Sequence, residues 1–247
     1  MNDQLSLRRL GLLLRNDLLR DQRTLLIVSA IVAVLALFGP AGAVYSSYTG
    51  AGFYRTVFLI ALFAVGTINT SMAFGDLHGR ATSTAFLLLP ATALEKTATR
   101  LLMSTVVLIA YLLLFTTALS LLVEVLELAA FGGDNVLFSP FDAVVWSVLP
   151  HYLVVQSLFF LGAAWFRSRS YIKTLLALVV IVAGLTAFGV GVTWSVADGG
   201  LRVEGDYFVD FDWLVGALYY AYLVALPLFC WFVAWLRVKE TQVRHGV

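Results

Sequence analysis

Charge is scarce in this chain. Asp, Glu, Lys and Arg make up 13% of its 247 residues, against 61% for hydrophobic side chains, where an average soluble domain carries about 25% charged residues. A water-soluble fold of this size has too little polar surface to cover so much apolar material. The bilayer is therefore expected to be the solvent for much of it. Cysteine is nearly absent: Cys230 stands alone inside an apolar run. That excludes an intrachain disulfide and a cysteine-rich metal site and leaves Cys230 a packing role. Catalytic signatures are missing too. No glycine is followed by lysine, so there is no Walker A phosphate loop, and neither H-E-x-x-H nor G-x-S-x-G occurs. These absences argue against hydrolysis by this chain alone. The histidines, His78, His151 and His245, fall at three different depths, whereas haem held between helices needs them at matched depth. No catalytic residue, metal ligand or cofactor site is assigned, and nothing points to nucleic acid.

What the chain does have is long apolar runs. A spanning helix needs about 20 mostly apolar residues, and six windows qualify: 25–44, 56–74, 101–123, 143–166, 174–194 and 213–236. None carries a charge near its centre, where each would cost roughly 2.5–3.5 kcal/mol. None alternates with the period of two expected of barrel strands. The expected fold is an all-α membrane protein, a single transmembrane domain over residues 1–247 with six transmembrane helices. Basic residues orient it. All of the 16 except Arg55 and Arg202 fall on one side of an even-span arrangement, which places both termini in the cytoplasm, as for a multi-pass protein of the bacterial inner membrane. The opposite loops are acidic, with Glu124, Glu127, Asp134, Asp142, Asp198, Glu204, Asp206, Asp210 and Asp212. Tyr45, Tyr48, Trp146, Trp194 and Trp213 would anchor the outer interface, and Trp165 and Trp235 the inner one.

Residues 1–24 form neither a span nor a free tail. Leu7, Leu10, Leu14 and Leu18 repeat at helical spacing while Arg8, Arg9 and Arg15 lie away from them. This pattern predicts an amphipathic helix in the cytoplasmic headgroups, with the three arginines binding lipid. A cleaved signal peptide ending near Ala41-Gly42-Ala43 is disfavoured, because the apolar run continues to the length of a span.

The cytoplasmic stretch Gly75 to Leu102 is long for a hairpin connection. Thr92-Ala93-Leu94-Glu95 fits a capping box, predicting a short helix over 92–100 after a break at Pro90. Ser139-Pro140-Phe141-Asp142 predicts the start of the fourth span, with Ser139 as cap. Glu124 and Glu127 share a helical face and read as solvated acids at a helix end, as do the acids of the last outer loop. Polar residues inside spans are few. Asn69, Thr70, Thr116, Gln156 and Ser157 stand out, either bonding helix to helix or lining a cavity; Gln156 is the deepest.

In layout the chain resembles the type-2 ABC transporter permeases. The shared features are a basic amphipathic N-terminal helix, six spans, both ends inside, and a cytoplasmic loop between spans two and three. The most telling stretch runs from Arg80 through Ser83-Thr84 and Leu88-Leu89-Pro90, then Glu95-Lys96, to Arg100-Leu101-Leu102. It is similar to the coupling region of those permeases, where an arginine-bearing turn precedes a leucine-proline step and a helix that enters the next span. The resemblance implies two permease copies or paralogues, homodimeric or not, and a separate ABC ATPase that binds and hydrolyses ATP-Mg. It also implies that Arg80, Pro90, Thr92, Leu94, Glu95, Lys96 and Arg100 serve ATPase coupling. Lys96 is expected to be freer than Glu95 to reach that partner. The expected function is a permease subunit, an exporter of amphiphilic, lipid-like or peptide cargo. A membrane enzyme or cofactor subunit, and a non-transporting anchor or sensor, are the alternatives.

Overall fold

The computed structural model describes residues 6–43, 51–78, 91–131, 137–197 and 212–244, and every regular element among them is helical. Lipid offers no hydrogen bonds, so an apolar segment must satisfy its backbone internally, which a helix does. In order, the helices are α1 (Leu7–Arg20), α2 (Gln22–Ala43), α3 (Ala51–Ser71), the single turn α4 (Gly75–His78) and α5 (Ala93–Leu102). A π-helical turn over Met103–Val107 joins α5 to α6 (Leu108–Phe131) without a break. Then come α7 (Ala143–Trp165), α8 (Ser170–Ala197) and α9 (Asp212–Tyr220), which a second π turn over Ala221–Ala225 joins to α10 (Leu226–Arg244).

Five helical stretches are long and apolar enough to cross a membrane: Gly52–Leu77, Ala93–Leu126, Ala143–Trp165, Ser170–Ser195 and Val215–Thr241. Each contains one of the last five predicted windows, to within two residues. The first window falls on α2, whose described apolar stretch is Thr24–Val34. The helices outrun the windows because polar residues continue them: α5 begins at its own cap and passes straight into α6.

The bundle has a basic end, carrying α1, α4, the start of α5 and the end of α10, and an acidic end. Helix α7 lies at its centre, packed mainly on α10 and α3. Toward the acidic end, Val32, Phe58, Leu62, Leu112, Val145 and Tyr152 form one buried cluster. Toward the basic end, Phe74, Leu77, Ala93, Phe160, Ala234 and Val238 form another. Two glycines set the helix spacing. A Cβ on Gly66 would lie 2.7 Å from the Tyr152 ring, and one on Gly162 would lie 1.9 Å from the Thr174 hydroxyl. Absence of side chains there lets α3 and α8 close on α7.

The start of α7 corrects the sequence expectation. Asp142, not Ser139, is the N-cap: its Oδ1 accepts the Val144 N–H at 2.8 Å. Phe138, 3% exposed, packs near Phe58. The chain must therefore turn before the helix begins, and the Ser139 carbonyl accepts the Asp142 N–H at 3.2 Å with Pro140 in the turn. Asp142 Oδ2 also takes Arg55 at 3.1 Å, so one of the two basic residues on the acidic side has an acid as partner there.

Candidate functional site

Helix α5 begins as its sequence predicts. Thr92 Oγ1 accepts the Glu95 N–H at 3.2 Å, and Glu95 Oε2 accepts the Thr92 N–H at 3.0 Å. The two bonds satisfy donors that a helix start leaves open. The other carboxylate oxygen does something the local pattern does not reveal. Glu95 Oε1 accepts the Ser6 N–H at 2.9 Å and lies 3.6 Å from Arg9 Nε. Glu95 is fully buried. One side chain thus closes the cap of α5 and pins the start of α1 to it.

Lys96 departs from expectation. It is 3% exposed, so it is not the residue free to reach outward. Helix α1 covers α5 on one side and α10 packs on it as well. Residues 95 and 96, although about 100° apart on the helix, are therefore both buried, and so are Thr97 and Thr99. The exposed side chain of this first turn is Leu94, at 38%.

Arg100, one helical turn further, joins α5 to two other elements. Its Nη2 lies 3.0 Å from Asp76 Oδ2 on α4, and its Nε lies 3.5 Å from Asp17 Oδ2 on α1. Arg20 binds both carboxylate oxygens of the same Asp76. Burial pushes the Asp17 and Asp21 carboxyls above the ordinary aspartate range, and Arg100 pulls both back. Beside this network opens a polar cleft of about 180 Å³, lined among others by Arg20, Asp21, Asn69, Asp76, Arg100 and Ser104. None of its acidic members was singled out from sequence. Their signal was faint: charges near helix ends whose partners lie as far as 83 positions along the chain (Arg100 to Asp17).

The polar residues inside the apolar helices divide. Asn69 lines the cleft. Gln156 is fully buried and spends both ends of its amide on packing: Nε2 donates to Ser104 Oγ at 3.0 Å, and Oε1 accepts Trp231 Nε1–H at 3.3 Å. It ties α7 to the π turn and to α10. The Tyr152 hydroxyl donates to the Ser104 carbonyl in that same widened turn, at 3.2 Å. Ser157 is fully buried and bonds the Val154 carbonyl at 2.7 Å. Gln156 and Ser157 therefore act between and within helices rather than on a cavity wall. Thr70 and Thr116 are buried as well. His151 turns back on its own helix, Nδ1 lying 3.1 Å from the Ser147 carbonyl.

Arg8, Arg9 and Arg15 are exposed on α1, although Arg9 also faces Glu95. Arg80 and Pro90 lie outside the described residues, as do Tyr45, Tyr48, Asp206, Asp210 and His245. The described site is thus a capped helix at the basic end, held to α1 by Glu95, to α4 by Arg100 and to α6 by an unbroken backbone, with Leu94 facing out. Compared with family models, curated proteins and solved structures, the chain has no match.

Proposed function

We propose that this chain is the transmembrane permease subunit of an ABC transporter, an exporter whose ATP is hydrolysed by a separate ATPase subunit. The observation that carries the reading is the mechanical continuity of α5. A helix at the basic end presents an apolar tip residue, is fixed to α1 by the buried Glu95 carboxylate and to α1 and α4 by the largely buried Arg100 pairs, and runs without interruption into the membrane-length helix α6. A push on Leu94 would be transmitted along a rigid rod rather than dissipated in a loop. In this reading α2 completes a set of six spans in the bacterial cytoplasmic membrane, with both termini cytoplasmic. The apolar stretch of α8 has none of its central window buried in the single chain, leaving a face for a second permease copy or paralogue. A partner that binds one tilt of α5 more tightly by a few kcal/mol suffices to invert a two-state equilibrium. The scarcity of charge inside the helices favours amphiphilic, lipid-like or peptide cargo over a small ion.

The test is co-purification from detergent, with ATPase activity in reconstituted vesicles. Leu94→Asp should lower recovery of the ATPase about tenfold, because a charge without a partner would enter the interface. Leu94 is exposed, so folding and membrane yield should stay as they were. A cysteine at position 94, with Cys230 replaced, should react with a membrane-impermeant thiol reagent only from the cytoplasmic side. Labelling from outside, or no ATPase recovered with the unaltered chain, would move the anchor or enzyme readings ahead.

A further inference from the structure

A second opening lies at the basic end. It is a groove of about 460 Å³ between the end of α3 and the turn that joins α7 to α8. Its walls are apolar: Ile68 and Met72 on one side, Phe166 and Ile172 on the other, of which Ile68, Met72 and Ile172 are exposed. Its rim is basic. Arg167 and Arg169 line it, and Lys173 stands one turn into α8. None of the three pairs with a carboxylate among the described residues, and no acidic residue lines the groove. Lys173 leans instead toward Ser168 and the Phe166 ring.

Two details indicate what the rim holds. The Ser170 hydroxyl is buried at this rim and has no hydrogen-bond partner among the described residues. It stands at the first turn of α8, where backbone N–H groups lack acceptors within the helix and favour an anion. Arg169 has a φ of 51°, a left-handed backbone that glycine adopts without strain and arginine does not. Such left-handed non-glycine residues cluster at ligand-binding sites. The groove also sits at the right depth. The membrane-length stretch Ser170–Ser195 begins at its rim and Gly52–Leu77 ends beside it. The nearby Trp165 ring, exposed and covered by Arg237 at 5.0 Å, is of the kind found at the headgroup level.

We propose that this groove binds an anionic phospholipid. The phosphate would sit on Arg167, Arg169 and the first turn of α8, and one acyl chain would run along Ile68, Met72 and Ile172. The basic rim selects a negative headgroup, and the apolar walls select a lipid over a free anion. The site requires only that these helices lie in a bilayer, and it stands apart from the contacts argued for α5.

Native mass spectrometry of the detergent-purified full chain tests it, with added phosphatidylglycerol, phosphatidylcholine and inorganic phosphate as separate probes. Phosphatidylglycerol should be retained at least fivefold more than phosphatidylcholine. The double variant Arg167→Ala, Arg169→Gly should lose that preference. Its fold should survive, since glycine relieves the backbone at 169 and Arg167 is exposed. Equal retention of the two lipids, an unchanged preference in the Arg167/Arg169 variant, or binding of inorganic phosphate without the lipid would each overturn the proposal.

Discussion

Arg100→Ala is expected to be among the most destabilising single substitutions at the basic end. The guanidinium is 12% exposed and faces Asp17 and Asp76, themselves 10% and 14% exposed. Removing one partner from a pair held so far from water leaves the other charge uncompensated, which costs about 3–5 kcal/mol. For a chain of this length that corresponds to a fall of roughly 10 °C in the unfolding midpoint, measurable by thermal denaturation in detergent with detection of the surviving monodisperse protein. The loss should be pH-dependent. Asp17 and Asp21 already bind their protons more tightly in the folded state, because burial disfavours the charged form. A carboxyl with a raised folded-state value contributes stability while protonated at low pH, and that contribution fades as pH rises through the raised value. Without Arg100 that value rises further for Asp17, so the deficit should be smaller at pH 5 than at pH 8. A midpoint within about 1 °C of the unaltered protein at both pH values would show that the network is solvated and carries little energy.

Local chemistry made part of this site readable in the sequence. The capping box at Thr92–Glu95 is an i, i+3 pattern whose physics is contained in one turn, and it forms as predicted. Five of the six apolar windows fall on helices long and apolar enough to cross a membrane, because length and apolar content are properties of a local run of sequence. What depends on distant partners was not. The second bond of Glu95 joins it to Ser6, 89 positions away. The amide of Gln156 is satisfied by Ser104 and Trp231, 52 and 75 positions away. Lys96 looked free because a single helix gave it an open side; α1 and α10, from opposite ends of the chain, close it. The same limit explains the cap of α7. Ser139 alone fits the local capping-box pattern, yet with Phe138 docked into the acidic-end core the helix starts after Asp142.

Glu95→Ala is the sharper test of how α1 and α5 are joined. The substitution removes the acceptor of two backbone N–H groups and the charge opposite Arg9. Loss of the reciprocal cap costs about 1 kcal/mol, and the Ser6 N–H left without its acceptor adds about 1–3 kcal/mol. The expected total is roughly 2–4 kcal/mol, concentrated where α1 meets α5. The consequence should be local before it is global. With the pin removed, α1 should lift from α5 and its backbone should open to protease, so limited trypsin digestion should cut after Arg9 or Arg15 at least tenfold faster, while the central helices stay resistant. Glu95→Gln separates the two contributions. It keeps an acceptor for one N–H and places an amide donor toward the other, and it removes the charge facing Arg9. It should therefore fall between the unaltered protein and Glu95→Ala. Arg9→Ala, which leaves both backbone bonds in place, should change digestion little, because Arg9 is 44% exposed at the side chain and its 3.6 Å contact is mostly screened. If digestion of Glu95→Ala matches that of the unaltered protein, the contact between α1 and α5 is held by apolar packing alone. The proposed fixing of α5 through α1 would then have no support from Glu95.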